Sequence, residues 1–168
     1  MRAEVISAKA IRFSDVDNEE HTVLAEDIEE CCIERHGKRL AYFVGLPNCP
    51  CLTEIDKDTY NIFVESMEEC LGNASEKIGM KTEKSISKEI KFIDIDSGWE
   101  YTALPENIDG LGIEQYDGSL EYYANISDKG FTNNIGLKTY NILLAALKAV
   151  ANAKEKDDDQ NKEKKEKK

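Results

Sequence analysis

The chain repeats itself. Lys9-Ala10-Ile11-Arg12-Phe13-Ser14-Asp15-Val16-Asp17 aligns with Lys88-Glu89-Ile90-Lys91-Phe92-Ile93-Asp94-Ile95-Asp96 at an offset of 79. One extra residue then enters the following turn. At an offset of 80, Glu20, Thr22, Leu24, Glu26, Ile28, Ile33, Glu34, Leu40, Tyr42 and Ile55 recur, and Thr59-Tyr60-Asn61-Ile62 returns as Thr139-Tyr140-Asn141-Ile142. Over 8–17 and 20–71, 19 of 62 positions are identical, several times what chance provides. A repeat of this kind dictates the fold before any residue-level reading. Two copies are too few, and the period too long, for a solenoid. The expected arrangement is a pair of like units about a pseudo-twofold axis.

Each copy reads as an antiparallel meander closed by a helix. In the first, a strand is expected over Glu4–Phe13 and another over His21–Ala25. A hairpin of Cys31–Arg35 and Arg39–Leu46 follows, with an extended piece at Cys51–Ile55. In the second, the hairpin is Leu111–Gln115 and Ser119–Ile126, joined by Asp117-Gly118, a pair that tolerates the positive φ of a two-residue turn. The helix of the first copy spans Lys57–Leu71. Its apolar face is Tyr60, Phe63, Val64, Met67, Cys70 and Leu71, repeated by Tyr140, Leu143, Leu144, Leu147, Val150 and Ala151. Gly72-Asn73 marks a helix stop. The fold class is thus α+β, two tandem ββββα-type repeats packed as a pseudo-twofold unit. Residues 1–73 form repeat 1, 74–84 a linker, 85–153 repeat 2, and 154–168 a disordered charged tail.

Charge narrows the choice of partner. The 168 residues carry a formal net charge of -12. The tail 154–168 holds seven lysines and six acids, which leaves 15 basic against 28 acidic residues in 1–153, a net of -13. The tail has too little apolar content to offset the entropy of ordering. An acidic body disfavours free duplex DNA and anionic membranes, whose binding rests on Lys and Arg, and favours a basic protein surface or a cation. The longest uncharged apolar run, Ile142–Leu147, is far short of the ~20 residues of a membrane span. Without an apolar secretory core near Met1, the five cysteines are expected to stay reduced in the cytoplasm.

Alternation along the hairpins places Leu40, Tyr42, Val44 and Leu46, with Leu120, Tyr122, Ala124 and Ile126, beneath the helices. The opposite face carries Arg39, Ala41 and Phe43, and Ser119, Glu121 and Tyr123. Phe43 and Tyr123 are then a symmetric aromatic pair, either a binding platform or a surface covered by a second layer. The most regular polar feature is the acid pairs Asp15/Asp17 and Asp94/Asp96 at the end of each copy's first strand. They suit a cation or a Lys/Arg docking point, or simply a turn whose side chains bond local backbone N–H groups.

Cys31, Cys32, Cys49 and Cys51, with His36 nearby, invite a zinc reading, but their spacing departs from the usual Cys-x2-4-Cys loops. The second copy serves as a control. Cys31, Cys51 and Cys70 correspond to Leu111, Phe131 and Val150, which marks them as small core hydrophobes. Cys32 and Cys49 remain as exposed thiols, and any metal would fall to Cys32, Cys49 and His36. His21 and His36 correspond to Tyr101 and Tyr116, which points to packing or edge roles. Gly110-Leu111-Gly112 is followed by Gln115 where a third glycine would sit, so it fails the dinucleotide fingerprint. No catalytic residue and no cofactor is assigned.

The Gly37-Lys38-Arg39-Leu40 hairpin entry, and Leu52-Thr53-Glu54-Ile55 running into a helix with Tyr60 and Phe63, resemble a PUR repeat. The tandem architecture is similar to PUR-repeat and Whirly proteins over residues 8–71 and 87–151. That resemblance implies a fold of paired units and single-stranded nucleic acid held across the sheets. Phe43, Tyr116 and Tyr123 would then stack on bases. Those families carry basic strands, whereas this body is anionic. The leading expectation is therefore a non-enzymatic protein that binds a basic protein surface, as an inhibitor or accessory factor of a nucleic-acid-processing system. A single-strand binder is second, and a small Cys/His metal protein third. The oligomeric state stays open.

Overall fold

The structure, a computed structural model, describes residues 4–5, 10–71, 89–132 and 134–166, with side chains between 10 and 153. It is an α+β fold of antiparallel strands and two helices. In chain order the strands are β1 (Glu4–Val5), β2 (Ala10–Ser14), β3 (Glu20–Leu24), β4 (Glu30–His36), β5 (Arg39–Gly45) and β6 (Thr53–Ile55), followed by helix α1 (Lys57–Cys70). Then come β7 (Ile90–Ile93), β8 (Glu100–Ala103), β9 (Ile108–Tyr116), β10 (Ser119–Ile126) and β11 (Gly130–Phe131), followed by α2 (Gly136–Glu166). A 3-10 turn precedes β4 (Ala25–Asp27) and another precedes β9 (Pro105–Asn107).

One six-stranded sheet holds the molecule together, in the order β11-β10-β9-β4-β5-β6. Its centre is the antiparallel pairing of β4 with β9. Cys32 lies opposite Gly112, flanked by Cys31 opposite Ile113 and Ile33 opposite Leu111. The meander therefore has fewer strands than the sequence suggests. β2 pairs with β1 on one side and β3 on the other, and among the described residues β7 pairs with β8 alone. Their apolar residues, Ile11, Phe13 and Val23 in one hairpin and Phe92 and Ala103 in the other, join the buried core. Phe13 packs edge-on against Phe63 of α1, with ring centres 4.9 Å apart.

The α1 face forms as its spacing dictates. Asp56 caps the N-terminus, its carboxylate accepting from Thr59 N at 2.8 Å. Tyr60, Phe63 and Met67 are buried, and each such side chain contributes about 1.5–3 kcal/mol on leaving water. Cys70 departs from expectation: it is exposed at the last turn. In α2 the buried residues are Tyr140, Leu143, Leu147, Val150 and Ala151. Beneath the helices, Tyr42 meets Tyr60 and Tyr122 meets Tyr140, each pair at 5.3 Å and 54°. The hydroxyls of Tyr60 and Tyr140 share a buried hydrogen bond of 3.0 Å.

Two polar links cross between the parts. Arg35 donates to the Glu106 carbonyl at 2.5 Å and to Asp109 Oδ1 at 3.2 Å. Gln115, with its amide turned to donate, reaches the carbonyls of Glu26 and Ile28 at 3.2 and 3.0 Å. Each side chain satisfies the 3-10 turn of the other part. The turns of the outer hairpins also reach the sheet margins: Val16 N donates to Glu54 O at 3.2 Å, and Ile95 N to Asn134 O at 2.6 Å.

The helical backbone of α2 runs to Glu166. Side chains from 154 onward, the stop at Gly72-Asn73 and the linker 74–84 lie outside the described residues. Among the described residues no helix is long and apolar enough to cross a membrane.

Candidate binding trough on the open sheet face

Both helices cover one face of the sheet, and the other face stays open. Period-two alternation puts Glu30, Cys32 and Glu34 of β4 on it, beside Gly110, Gly112 and Glu114 of β9 and Glu121, Tyr123 and Asn125 of β10. These residues line a broad trough of about 690 Å³. Gly110 and Gly112 put no side chains on the centre of its floor. The Tyr123 ring fills the space over Gly112, where an added Cβ would come within 2.1 Å of it. The Tyr123 hydroxyl donates to Glu30 Oε1, and burial, with Cys32 and Glu30 alongside, pushes that phenol upward.

Three carboxylates stand side by side across three strands. Glu30 is directly opposite Glu114, and Glu114 is directly opposite Glu121. Like charges facing each other across a ladder are destabilising. The cost is visible at Glu114, whose carboxyl is raised above its ordinary range by burial and by the charges of Glu30 and Glu121. Glu34, Asp96, Tyr116 and Phe131 extend the lining. A group that is cationic and has a flat or apolar body fits this surface, through charge and through the ring faces.

The residues singled out from sequence divide. Tyr123 and Tyr116 line the trough, and Tyr116 is largely exposed. Phe43 is on the same sheet face but half-buried, tilted towards His36 with ring centres 6.3 Å apart. Asp96 lines the trough, whereas its neighbour Asp94 is buried, its Oδ1 accepting from Asp96 N at 3.1 Å and Ser97 N at 2.9 Å. Asp15 does the same at its own turn, accepting from Asp17 N and Glu19 N, both at 2.9 Å. Asp15 also meets His21 Nε2 at 2.9 Å. The His21 bond holds its carboxyl below the ordinary range against the opposing pull of burial. Asp17 is exposed at its turn.

The thiols correct two expectations. Cys32 is buried, not exposed, because the ring of Tyr123 lies across it; burial and Glu30 push its thiol up to about 12. Cys51 is exposed rather than a core residue, and Phe131, its counterpart, is also exposed. Cys31 is buried and Cys49 exposed, as read from the sequence. Among the described residues the one group of three metal-capable donors within 4.8 Å is Asp15, Glu19 and His21, so Cys32, Cys49 and His36 do not converge. His36 instead meets Glu34 at 3.0 Å. The sequence pattern missed Glu30, Glu114 and Glu121 as a unit. Their alternation was legible, but the β4–β9 register that aligns them was not.

Comparison with known proteins gives no matching family, no matching curated protein and no matching solved structure.

Proposed function

We propose that the chain is a non-enzymatic interaction protein whose open sheet face receives a basic segment of a partner protein in the cytoplasm. The observation that carries this reading is the row Glu30, Glu114 and Glu121 beside Tyr116 and Tyr123. Mutual repulsion is retained on a face that a cation would relieve, and complementary charge sets both choice of partner and speed of encounter. Occupying a site that otherwise holds phosphates is one use of such a face, which fits an inhibitor or accessory factor of a nucleic-acid-processing system.

We also infer that the molecule descends from a duplicated module of about seventy residues arranged about a pseudo-twofold axis. The repeated element order, the Cys32–Gly112 register and the Tyr60–Tyr140 contact support it. The PUR/Whirly-like reading draws on the same aromatics. Its weakness is electrostatic, since Glu30, Glu34, Glu114 and Glu121 surround the tyrosines and repel a phosphate backbone.

The test is a salt titration of two labelled probes against the full chain, an arginine-containing glycine peptide and a single-stranded oligonucleotide. The expected result is peptide binding that weakens with salt and is lost in Glu30→Gln/Glu114→Gln/Glu121→Gln, with no oligonucleotide binding at low salt. Oligonucleotide binding with no peptide binding would reverse the order of the two readings.

A further inference from the structure

The turns that follow β2 and β7 are built alike. Asp15 N donates to Glu19 O at 3.1 Å, and Asp94 N to Trp99 O at 3.0 Å. In each turn, Oδ1 of the aspartate accepts two backbone N–H groups. His21 lies opposite Phe13 in the ladder and stacks on its ring at 5.0 Å and 22°. Tyr101 lies opposite Phe92 and stacks at 5.6 Å and 13°. Glu19 and His21 therefore hold the places that Trp99 and Tyr101 hold in the later hairpin. The turn forms with either pair, so it requires neither the Glu19 carboxylate nor the His21 imidazole.

What the exchange adds is a set of metal donors. Asp15 Oδ1 is taken by the turn, while Oδ2 meets His21 Nε2 at 2.9 Å. One donor atom from each of Asp15, Glu19 and His21 lies within 4.8 Å of the other two. Two ligands at right angles on an ion, each ~2.1 Å from it, are ~3.0 Å apart, so the Asp15–His21 spacing already suits a shared ion. Asp15 is buried, His21 half-buried and Glu19 exposed, which leaves the group open to an arriving ion on one side. Oxygen donors alone favour Ca2+ and Mg2+; an imidazole beside them favours Zn2+, Co2+ or Ni2+.

We propose that Asp15, Glu19 and His21 bind one divalent transition ion of the Zn2+, Co2+ and Ni2+ class, through two carboxylate oxygens and His21 Nε2, with water completing the shell. The site is separate from the trough and does not depend on what the trough binds. The ion takes the place of the proton between His21 Nε2 and Asp15 Oδ2. A neutral ring then carries its proton on Nδ1, and a charged ring releases one proton to solvent. The two positive charges meet two carboxylates in a strongly acidic body. Bound there, the ion clamps the end of β2 to the start of β3, at the turn whose Val16 N bonds Glu54 O on the margin of the six-stranded sheet. Among the described residues the later hairpin offers no such set.

The full chain, stripped with chelator and kept reduced, is titrated calorimetrically with Zn2+, Co2+ and Ca2+ in turn. The expected result is one Zn2+ or Co2+ per chain and no Ca2+ at the same concentrations. Proton NMR reads the ligand directly, because the chain has two histidines. Substoichiometric Co2+ should perturb the ring signals of His21 and spare those of His36, which meets Glu34 instead. His21→Tyr installs the residue that the later hairpin carries, and Glu19→Gln alters an exposed side chain. Each should weaken Zn2+ binding about tenfold to a hundredfold, the size seen even for groups that only support a ligand, with the circular dichroism of the ion-free protein unchanged. Cys49 lines a cleft with His21, so Cys49→Ser/Cys51→Ser is the control, and binding should survive it. No bound ion, an ion lost with the thiols but kept in His21→Tyr, or Co2+ that perturbs both histidines alike overturns the site. Ca2+ bound as tightly as Zn2+ also overturns it, since the carboxylates alone would then hold the ion.

Discussion

Residues 10–71 and 89–151 build nearly the same helix-facing layer and quite different open faces. Under the helices, Leu40, Tyr42, Tyr60 and Phe63 stand where Leu120, Tyr122, Tyr140 and Leu143 stand in the later part. On the open face, Glu30, Cys32, Arg39, Ala41 and Phe43 stand against Gly110, Gly112, Ser119, Glu121 and Tyr123. A side chain in a close-packed layer is constrained by its neighbours' volume. A side chain on an open sheet face answers mainly to solvent and to whatever binds there. The asymmetry of the trough is thus written in side chains upon the same order of strands and helix in both parts. The carboxylate row exists because Glu30 differs from Gly110 and Glu121 from Ala41.

The packed side of that comparison breaks most visibly. Phe63→Ala and Leu143→Ala, both fully buried, should each lower the unfolding free energy by about 3 kcal/mol. Chemical denaturation should show one cooperative transition in each case, because β4 and β9 share a sheet. Two separate transitions would show that the parts fold independently. On the open face, Gly112→Ala forces a methyl into the Tyr123 ring and should cost about 2 kcal/mol. The same change in a Tyr123→Ala background should cost little, and a cycle with full additivity would contradict the contact.

At the join, Tyr60→Phe and Tyr140→Phe should each cost about 1 kcal/mol, by leaving one buried hydroxyl unpartnered. The double variant should be no less stable than either single one. Smallest is the pH response, which has opposite sign at two carboxylates. The lowered Asp15 stabilises the fold above its unfolded-state value, and this is lost as pH falls through its lower folded value. The raised Glu114 works the other way, since its ionised form weakens the fold and protonation relieves it as pH falls. Asp15→Asn should therefore flatten the acid loss of stability seen in thermal melts. Glu114→Gln should raise the melting temperature at neutral pH, with the gain vanishing in acid.

Local periodicity made much of this legible. The helix faces at Tyr60, Phe63 and Met67 and at Tyr140, Leu143 and Leu147 follow from spacings of three and four. The Asp117-Gly118 turn also follows from local chemistry, and both residues have positive φ, 46° and 76°. What escaped was long-range. Nothing near Cys32 in sequence says that Tyr123 will lie across it, so an exposed thiol was the natural reading. Nothing in β2 or β3 says that they leave the meander to pack over α1. The Asp15 and Asp94 turns were legible as backbone-bonding turns, whereas the carboxylate row needed the register between two distant strands.

The bonds from Val16 to Glu54 and from Ile95 to Asn134 occupy backbone groups at both margins of the sheet. Each takes one backbone group out of reach of a visiting peptide, or of a second molecule of the same kind, that seeks a ladder to extend. Affinity at these margins then depends more on the visitor's side-chain chemistry than on its readiness to become a strand.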